Sequence, residues 1–499
     1  MSGTTVIVGG GMAGAVLARR LVDAGKGDVL LIEAGPDYGQ YCSGLWPEQL
    51  IDSTCMPVES HSWHYVSAAK HGQPMLALQR AKVIGGCTSH NGCAAVWGHA
   101  SDYEFGMPGW NRAALEPCLK RATAQMRVRQ PSRESLTPWH QAVLASAPAA
   151  GYPIIEDLND LDLEFGFGAG ALNAVERTRW NAAFAYLDEI RGNSHFSIMA
   201  DALVDCVVIQ NGVAIGIECV KDGERVVITA DRVILAGGTY GSPAMLLRSG
   251  IGPADDLREL GIVVRQDLPG VGQNLQDHPA IAVRFVPNAV GVRQMDDFVA
   301  KGGLPREEGT IALAKSRRCV DEPFDLHLYP VASPLWKKGG ASWYFVIAGA
   351  VMAPRSKGSL RLASGDPNVA PIIDHAYLSD EGGFDLDALA DCVEFSLALA
   401  AQSPLADFIS MESAPGASIT DRESLLRWIP FNSAHDYHPT STCKMGGGND
   451  SMAVVDEQCR VHGVANLYVG DASIFPKVPK ANMNLPVAAV AERLAELLS

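Results

Sequence analysis

At 499 residues the chain is too long for one compact core, so two lobes are expected. Its composition is globular, 47% apolar and 19% charged, and a net charge of −16 excludes a nucleic-acid partner, which needs a basic face. The eleven cysteines show neither CxxC nor Cys/His spacing, which predicts reduced thiols in a cytoplasm, no disulfide framework and no metal.

Thr4 to Val8 is an apolar, β-branched run that reads as a buried strand, with no room before it for a signal peptide. Gly9, Gly11 and Gly14 follow at GxGxxG spacing, with Met12 and Ala13 among them, and a helix begins. Such a turn lets backbone approach a pyrophosphate and aims the positive end of the helix at it. Val29 to Ile32 forms a second strand and runs into Glu33 and Ala34. Glu33 lies nineteen residues after Gly14, where a ribose hydroxyl would be held. Strand, turn, helix, strand and acid together predict a dinucleotide-binding α/β domain. A glycine turn without a ligand is the bland alternative, and the motif does not name the dinucleotide.

Residues 36 to 75 carry turn residues and little periodicity. Leu78 to Gly98, LQRAKVIGGCTSHNGCAAVWG, has polar groups breaking every apolar face, as expected for a loop laid against a flat polar cofactor. This stretch resembles a signature of the glucose-methanol-choline (GMC) oxidoreductases, FAD enzymes that act on alcohols, and its wording is closest to the choline oxidase branch. The resemblance implies FAD contacts at Val83, Gly86, His90, Asn91, Gly92, Cys93 and Ala94. In that branch the SHN histidine, here His90, is bonded to the flavin; an imidazole merely packed on the ring is the alternative. Gly92 departs from the serine expected there.

The resemblance also implies the architecture. An FAD-binding Rossmann-like domain of glutathione-reductase type is expected over 1–283 and 451–499, with inserted connectors near 107–195. It is interleaved with an α+β substrate domain, built on an antiparallel sheet, over 284–450. Glu104–Trp110 and Pro131–Trp139 read as connectors and Trp180–Arg191 as an amphipathic helix. The alternating segments between Phe196 and Leu235 read as strands of a small sheet. Val204 matches the position where the family lays adenine on backbone. Ile234–Pro253 reads as a strand, glycines and a helix with Pro243 near its start; it and Leu268–Pro279 resemble further fingerprints. Ala236, Gly237, Gly238 and His278 are expected to shape the cofactor bed and hinge rather than react.

Beyond Arg284 the wording is individual. His327, Tyr329, Trp336 and Trp343 could line a pocket, but aromatic residues in an apolar sheet are more often core. Trp343 to Pro354 is too short to cross a bilayer. No acid stands within Thr310–Arg318 to pair with a quaternary ammonium. Choline is therefore no better a candidate than a small alcohol, an amino alcohol or a sugar-like alcohol.

Two C-terminal segments, Phe431–Gly447 and Asn466–Leu498, resemble the remaining family signatures. They imply His438 and Asn484 as the catalytic pair, with Asn482 a weaker candidate and His435 a possible neighbour. They also imply FAD contacts at Asp471 and Ala472, and a terminal helix with Pro486 in its first turn. Imidazole suits a base working near neutral pH, and a carboxamide can hold the alcohol oxygen without competing for its proton. Asn484 could alternatively serve as the N-cap of the last helix. Three functions follow: an alcohol oxidase passing electrons to O2 and giving H2O2, a dehydrogenase using a quinone or carrier, and a flavin-containing lyase or idle flavin protein. A homodimer is compatible with each.

Overall fold

A computed structural model of the chain describes residues 3–68, 74–337 and 340–499. The opening strand, Gly3–Val8, sits at the centre of a five-stranded sheet. Arg232–Leu235 and then Leu467–Val469 lie on one side, Gly27–Ile32 and then Phe196–Met199 on the other. All four pairings are parallel. Parallel strands are covered on both faces, which is why Val6, Ile7 and Val8 form an unbroken apolar run, each at most 4% exposed. The first and last helices, Met12–Asp23 and Asn484–Leu498, pack together. Arg20 clasps the buried carboxylate of Glu492 across them at 2.7 Å.

Pro279–Pro287 carries the chain into a second sheet of eight strands. Their order is Ile409–Ala414, Pro279–Pro287, Gly340–Val351, Leu326–Lys337, Thr310–Ala314, Gly166–Ala169 and Ile154–Ile155, with Ala434–His435 also on Pro279–Pro287. Only Ile154–Ile155 runs parallel to its neighbour. The helices Pro138–Ser146 and Phe384–Ala400 cover one face, where Trp139 stacks on Phe345 at 4.4 Å. The other face roofs a cavity over the parallel sheet. Mixed α/β content and two interleaved sheets agree with the expected fold class.

Several local expectations change. Of Trp180–Arg191 only Ala183–Leu187 is helical, as one π-turn with all five residues buried, so that turn has no solvent face to make it amphipathic. Pro131–Trp139 is a connector only up to Thr137, which caps the helix Pro138–Ser146. The strands between residues 196 and 235 divide. Ala202–Gln210, Val213–Lys221 and Glu224–Thr229 form a three-stranded antiparallel sheet, while the flanking strands join the parallel one. Pro243 is the sixth residue of the helix Gly238–Arg248 and lies in its interior. Among the described residues no helix is long and apolar enough to cross a membrane.

Candidate active site

Between the two sheets lies a cavity of about 760 Å³. One end is built from backbone. Gly9 has φ +109°, and a Cβ there would lie 2.3 Å from the Ala236 carbonyl oxygen. Gly86 has φ +55°, and its Cβ would meet Gly11 Cα at 2.6 Å. The two glycine loops are joined by the Gly85 N–H, which donates to the Gly10 carbonyl at 2.8 Å. Glu33 lines this end, and its carboxylate accepts from the N–H groups of Gly10 (2.8 Å) and Gly35 (2.9 Å). Burial raises its pKa, against those backbone donors. Asp471 anchors the opposite wall: it accepts from Gly238 N–H (2.8 Å), Ser242 Oγ (2.5 Å), and Ser473 N–H (2.8 Å) and Oγ (2.6 Å).

All the predicted site residues line this cavity except Gly14, Val83, Cys93 and Pro486. Gly14 packs its helix on the turn, with room for no Cβ beside the Gly9 carbonyl. Val83 is buried and accepts the Gly86 N–H. Cys93 is buried at φ +68°, and Pro486 is buried in the first turn of the terminal helix. His90 is 3% exposed, and its Nε2 is buried with no hydrogen-bond partner. Burial, then the nearby Arg80 and Arg179 cations, lowers its pKa to about 4. Its loop is braced by Arg179, a fully buried guanidinium donating to the carbonyls of Asn91 (2.9 Å), Leu50 (2.9 Å) and Ser89 (3.3 Å). Sequence reasoning missed Arg179, since nothing local marks a residue that acts on five distant carbonyls, those of Gln49 and Cys55 included.

Away from the cradle the cavity holds a second set of titratable groups. Segments 276–280 and 434–440 are zipped antiparallel: Thr440 N–H donates to Gln276 O at 2.8 Å and Asp436 N–H to His278 O at 3.0 Å. This sets His278 Nδ1 3.0 Å from His438 Nδ1. Asp277 Oδ1 accepts the backbone N–H groups of both histidines at 2.8 Å, and Tyr377 donates to its Oδ2 at 2.8 Å. Burial first, and then the His438 charge, holds the His278 pKa well below its usual value. His278, expected only to shape the bed, is thus a direct neighbour of His438.

Asn482 Nδ2 lies 3.3 Å from His438 Nε2. With its NH₂ turned to the imidazole the amide donates to Nε2, which is then the unprotonated nitrogen, and Nδ1 carries the proton. Asp436 Oδ2 lies 3.2 Å from that Nδ1 but makes no hydrogen bond to it; the hydrogen-bond partner of Nδ1 is His278 Nδ1. Asn484 also lines the cavity, but its Nδ2 donates to Asn173 Oδ1 at 2.9 Å. It is the first residue of the terminal helix and does not cap it with its side chain. The structure therefore brings Asn482, rather than Asn484, onto the imidazole. His435 lines the cavity and donates from Nε2 to the Ala77 carbonyl at 2.8 Å. Tyr329 lines it too, bonded to His327 Nδ1 at 2.7 Å, whereas His327 and Trp343 are buried away from it. The Trp336 side chain lies outside the described residues.

One further acid reaches the cavity, Glu308, two residues before the Thr310–Arg318 stretch that holds none. Its Oε2 is buried without a partner, and burial, with Asp436 and Glu307 adding, pushes its pKa up to about 8. His278, Asp436 and His438 present ligand-type atoms within 4.8 Å of one another, a grouping that could hold a metal ion.

The site fits FAD. The cradle admits backbone but no Cβ, and the cavity wall leaves polar atoms orphaned at His90 Nε2, Asn482 Oδ1 and Asn484 Oδ1. Family models for GMC oxidoreductases match residues 4–280 and 354–491. The chain is 34% identical over 537 residues to mitochondrial choline dehydrogenase of Mus musculus, covering 99% of this chain and 89% of that protein. It is 32% identical over 529 residues to oxygen-dependent choline dehydrogenase of Photobacterium profundum, covering 99% and 92%. Its fold is similar to that of pyridoxine 4-oxidase from Mesorbium loti, with a TM-score of 0.86, 25% identity and coverage of 99% and 98%. The two family models and these relatives together span nearly the whole length: the chain belongs to the GMC oxidoreductase family, as an oxidoreductase acting on CH–OH donors.

Proposed function

We propose that the chain oxidises a primary or secondary alcohol to an aldehyde or ketone, with His438 Nε2 taking the hydroxyl proton. One observation carries this reading: His438, with its Nε2 3.3 Å from the Asn482 amide, stands on the wall of the same cavity as the dinucleotide cradle. The opposite nitrogen, Nδ1, has His278 Nδ1 as its hydrogen-bond neighbour at 3.0 Å, and a proton shared there leaves Nε2 as the basic nitrogen. Asn484 presents a second carboxamide for the alcohol oxygen. The cradle at Gly9, Gly11 and Gly86 and the loop of His90 would hold FAD, which would supply the two-electron acceptor for the carbinol hydride, with O2, reduced to H2O2, as the proposed final acceptor. The oxygen-dependent choline dehydrogenase of Photobacterium profundum supports O2 as acceptor; the alternative is a dehydrogenase of the same fold using a quinone or carrier. The buried, unpartnered His90 Nε2 supports covalent attachment of the flavin at that atom. Eleven free cysteines support a cytoplasmic setting.

A panel of alcohols, scored by anaerobic bleaching of the flavin and then exposure to air, tests the reaction. Bleaching by at least one alcohol, reversed by air, is expected. A flavin that no alcohol reduces would end the reading.

A further inference from the structure

His278, Asp436 and His438 are held together by their backbones as well as by their side chains. Asp277 Oδ1 accepts the N–H groups of both histidines at 2.8 Å, and Asp436 N–H donates to the His278 carbonyl at 3.0 Å. Three ligand-type atoms converge as a result. His438 Nδ1 lies 3.0 Å from His278 Nδ1 and 3.2 Å from Asp436 Oδ2, and all three atoms are within 4.8 Å of one another. A tetrahedral zinc ion, with bonds of about 2.0–2.2 Å, sets its ligand atoms about 3.3 Å apart. Both distances at His438 fall within about 0.3 Å of that spacing.

The unused polar atoms around the cluster fit the same ion. Among the described residues, Asp436 Oδ2 and Asn482 Oδ1 are buried without a hydrogen-bond partner. With a proton between the two Nδ1 atoms, both oxygens stay unused. An ion in place of that proton engages Asp436 Oδ2 directly. The proton leaves His438 Nδ1 for Nε2 of the same ring, so both imidazoles remain neutral. The new Nε2–H faces Asn482, whose amide, 3.3 Å away, turns over and accepts it at Oδ1. Two nitrogen–metal bonds and one oxygen–metal bond form, one N–H changes place, and nothing is oxidised or reduced.

We propose that His278, Asp436 and His438 form a binding site for a zinc-type transition-metal dication, and that the bound ion blocks alcohol oxidation by leaving His438 Nε2 protonated. Two imidazoles and a carboxylate suit such an ion, whereas Mg2+ and Ca2+ take oxygen ligands. Asp436 and His438 line the cavity, which gives the ion its way in, and water completes its shell. The site stands on the geometry alone; the block rests on the alcohol-oxidation reading above.

Two measurements on the oxidised holoenzyme test it, with Zn2+ as the probe. X-ray absorption at the zinc edge should show one equivalent bound by two imidazole nitrogens and oxygen at about 2.0–2.2 Å. Anaerobic flavin reduction by alcohol should slow by about 10²-fold or more, recover on adding EDTA, and be unmoved by Mg2+. His278→Ala and Asp436→Asn should each weaken zinc binding by about tenfold or more, read by competition with a chromophoric chelator in protein that retains its flavin. No uptake of zinc, or an affinity that neither substitution changes, overturns the proposal. So does a shell with sulfur at about 2.3 Å, which would put the ion on the free cysteines. An imidazole-bound ion with unslowed reduction would keep the site and overturn both the block and His438 as the base. Should no alcohol reduce the flavin, the absorption spectrum still decides the site.

Discussion

The carboxylate of Glu308 fills the space that a side chain at Gly92 would take: a Cβ placed on Gly92 comes within 2.6 Å of Oε1 and 2.8 Å of Cδ. Glycine stands where the family resemblance led to serine because an acid from the other lobe reaches over that position. Gly92→Ser should therefore cost about 1–3 kcal/mol through overpacking. Adding Glu308→Ala should recover most of that loss. A double-mutant cycle by urea denaturation measures the coupling, and strictly additive losses would show that the two residues do not share this space.

The same carboxyl makes stability depend on pH. Its folded pKa, about 8, is above the ordinary 4.5, so the neutral form is the one the fold favours. That contribution is complete below about pH 4.5, declines as the pH rises, and is lost through about pH 8. Glu308→Gln has no such dependence. The melting temperature of the variant should therefore gain on that of the parent protein between these limits, with the gain levelling off above pH 8. A difference that stays flat over the window would show that Glu308 ionises as freely as an exposed carboxylate.

His438→Ala should retain flavin yet slow its reduction by alcohol by about 10²–10⁴-fold, the usual worth of a general base. Asn482→Ala removes the amide that faces Nε2, whereas Asn484→Ala removes a partner of Asn173. The pH profile of reduction should therefore shift in the Asn482 variant and keep its midpoint in the Asn484 variant. Rapid-mixing kinetics across pH distinguish the two. Equal shifts in both would show that Asn482 has no privileged influence on the imidazole.

Lys480 locks the loop that carries both asparagines. It is 4% exposed, and its Nζ lies 2.6 Å from Asp102 and 2.9 Å from Glu322. Lys480→Met would leave Asp102 buried and unpaired, at a cost of about 3–5 kcal/mol. Chemical denaturation reads the loss directly. A change below about 1 kcal/mol would mean that water already reaches the pair.

His90→Ala should release its flavin into the supernatant when the protein is denatured in acid, while the parent chain should keep its yellow colour in the pellet. Release from both proteins would rule out the covalent link.

Much of the cofactor end was legible in the sequence. The turn from Gly9 to Gly14, the acid at Glu33 and the SHN loop all line or brace the cavity, because a strand–turn–helix fixes its geometry within a few residues. The substrate end was less so. His278, Arg179 and Glu308 act on groups far away along the chain, and each looks locally like an ordinary loop or sheet-edge residue. The expected helix at Trp180–Arg191 failed for the related reason that burial on all sides erases periodicity.

By itself the sequence determined a dinucleotide cradle and the presence of an imidazole and two carboxamides near the end of the chain, since backbone turns and motif spacing are local properties. Only the tertiary structure decided which carboxamide meets the imidazole, that a second histidine lies 3.0 Å from it, and that two acids share its chamber. Those relations depend on how one sheet is laid over the other. Long-range packing of that kind sets distances that no spacing along the chain encodes.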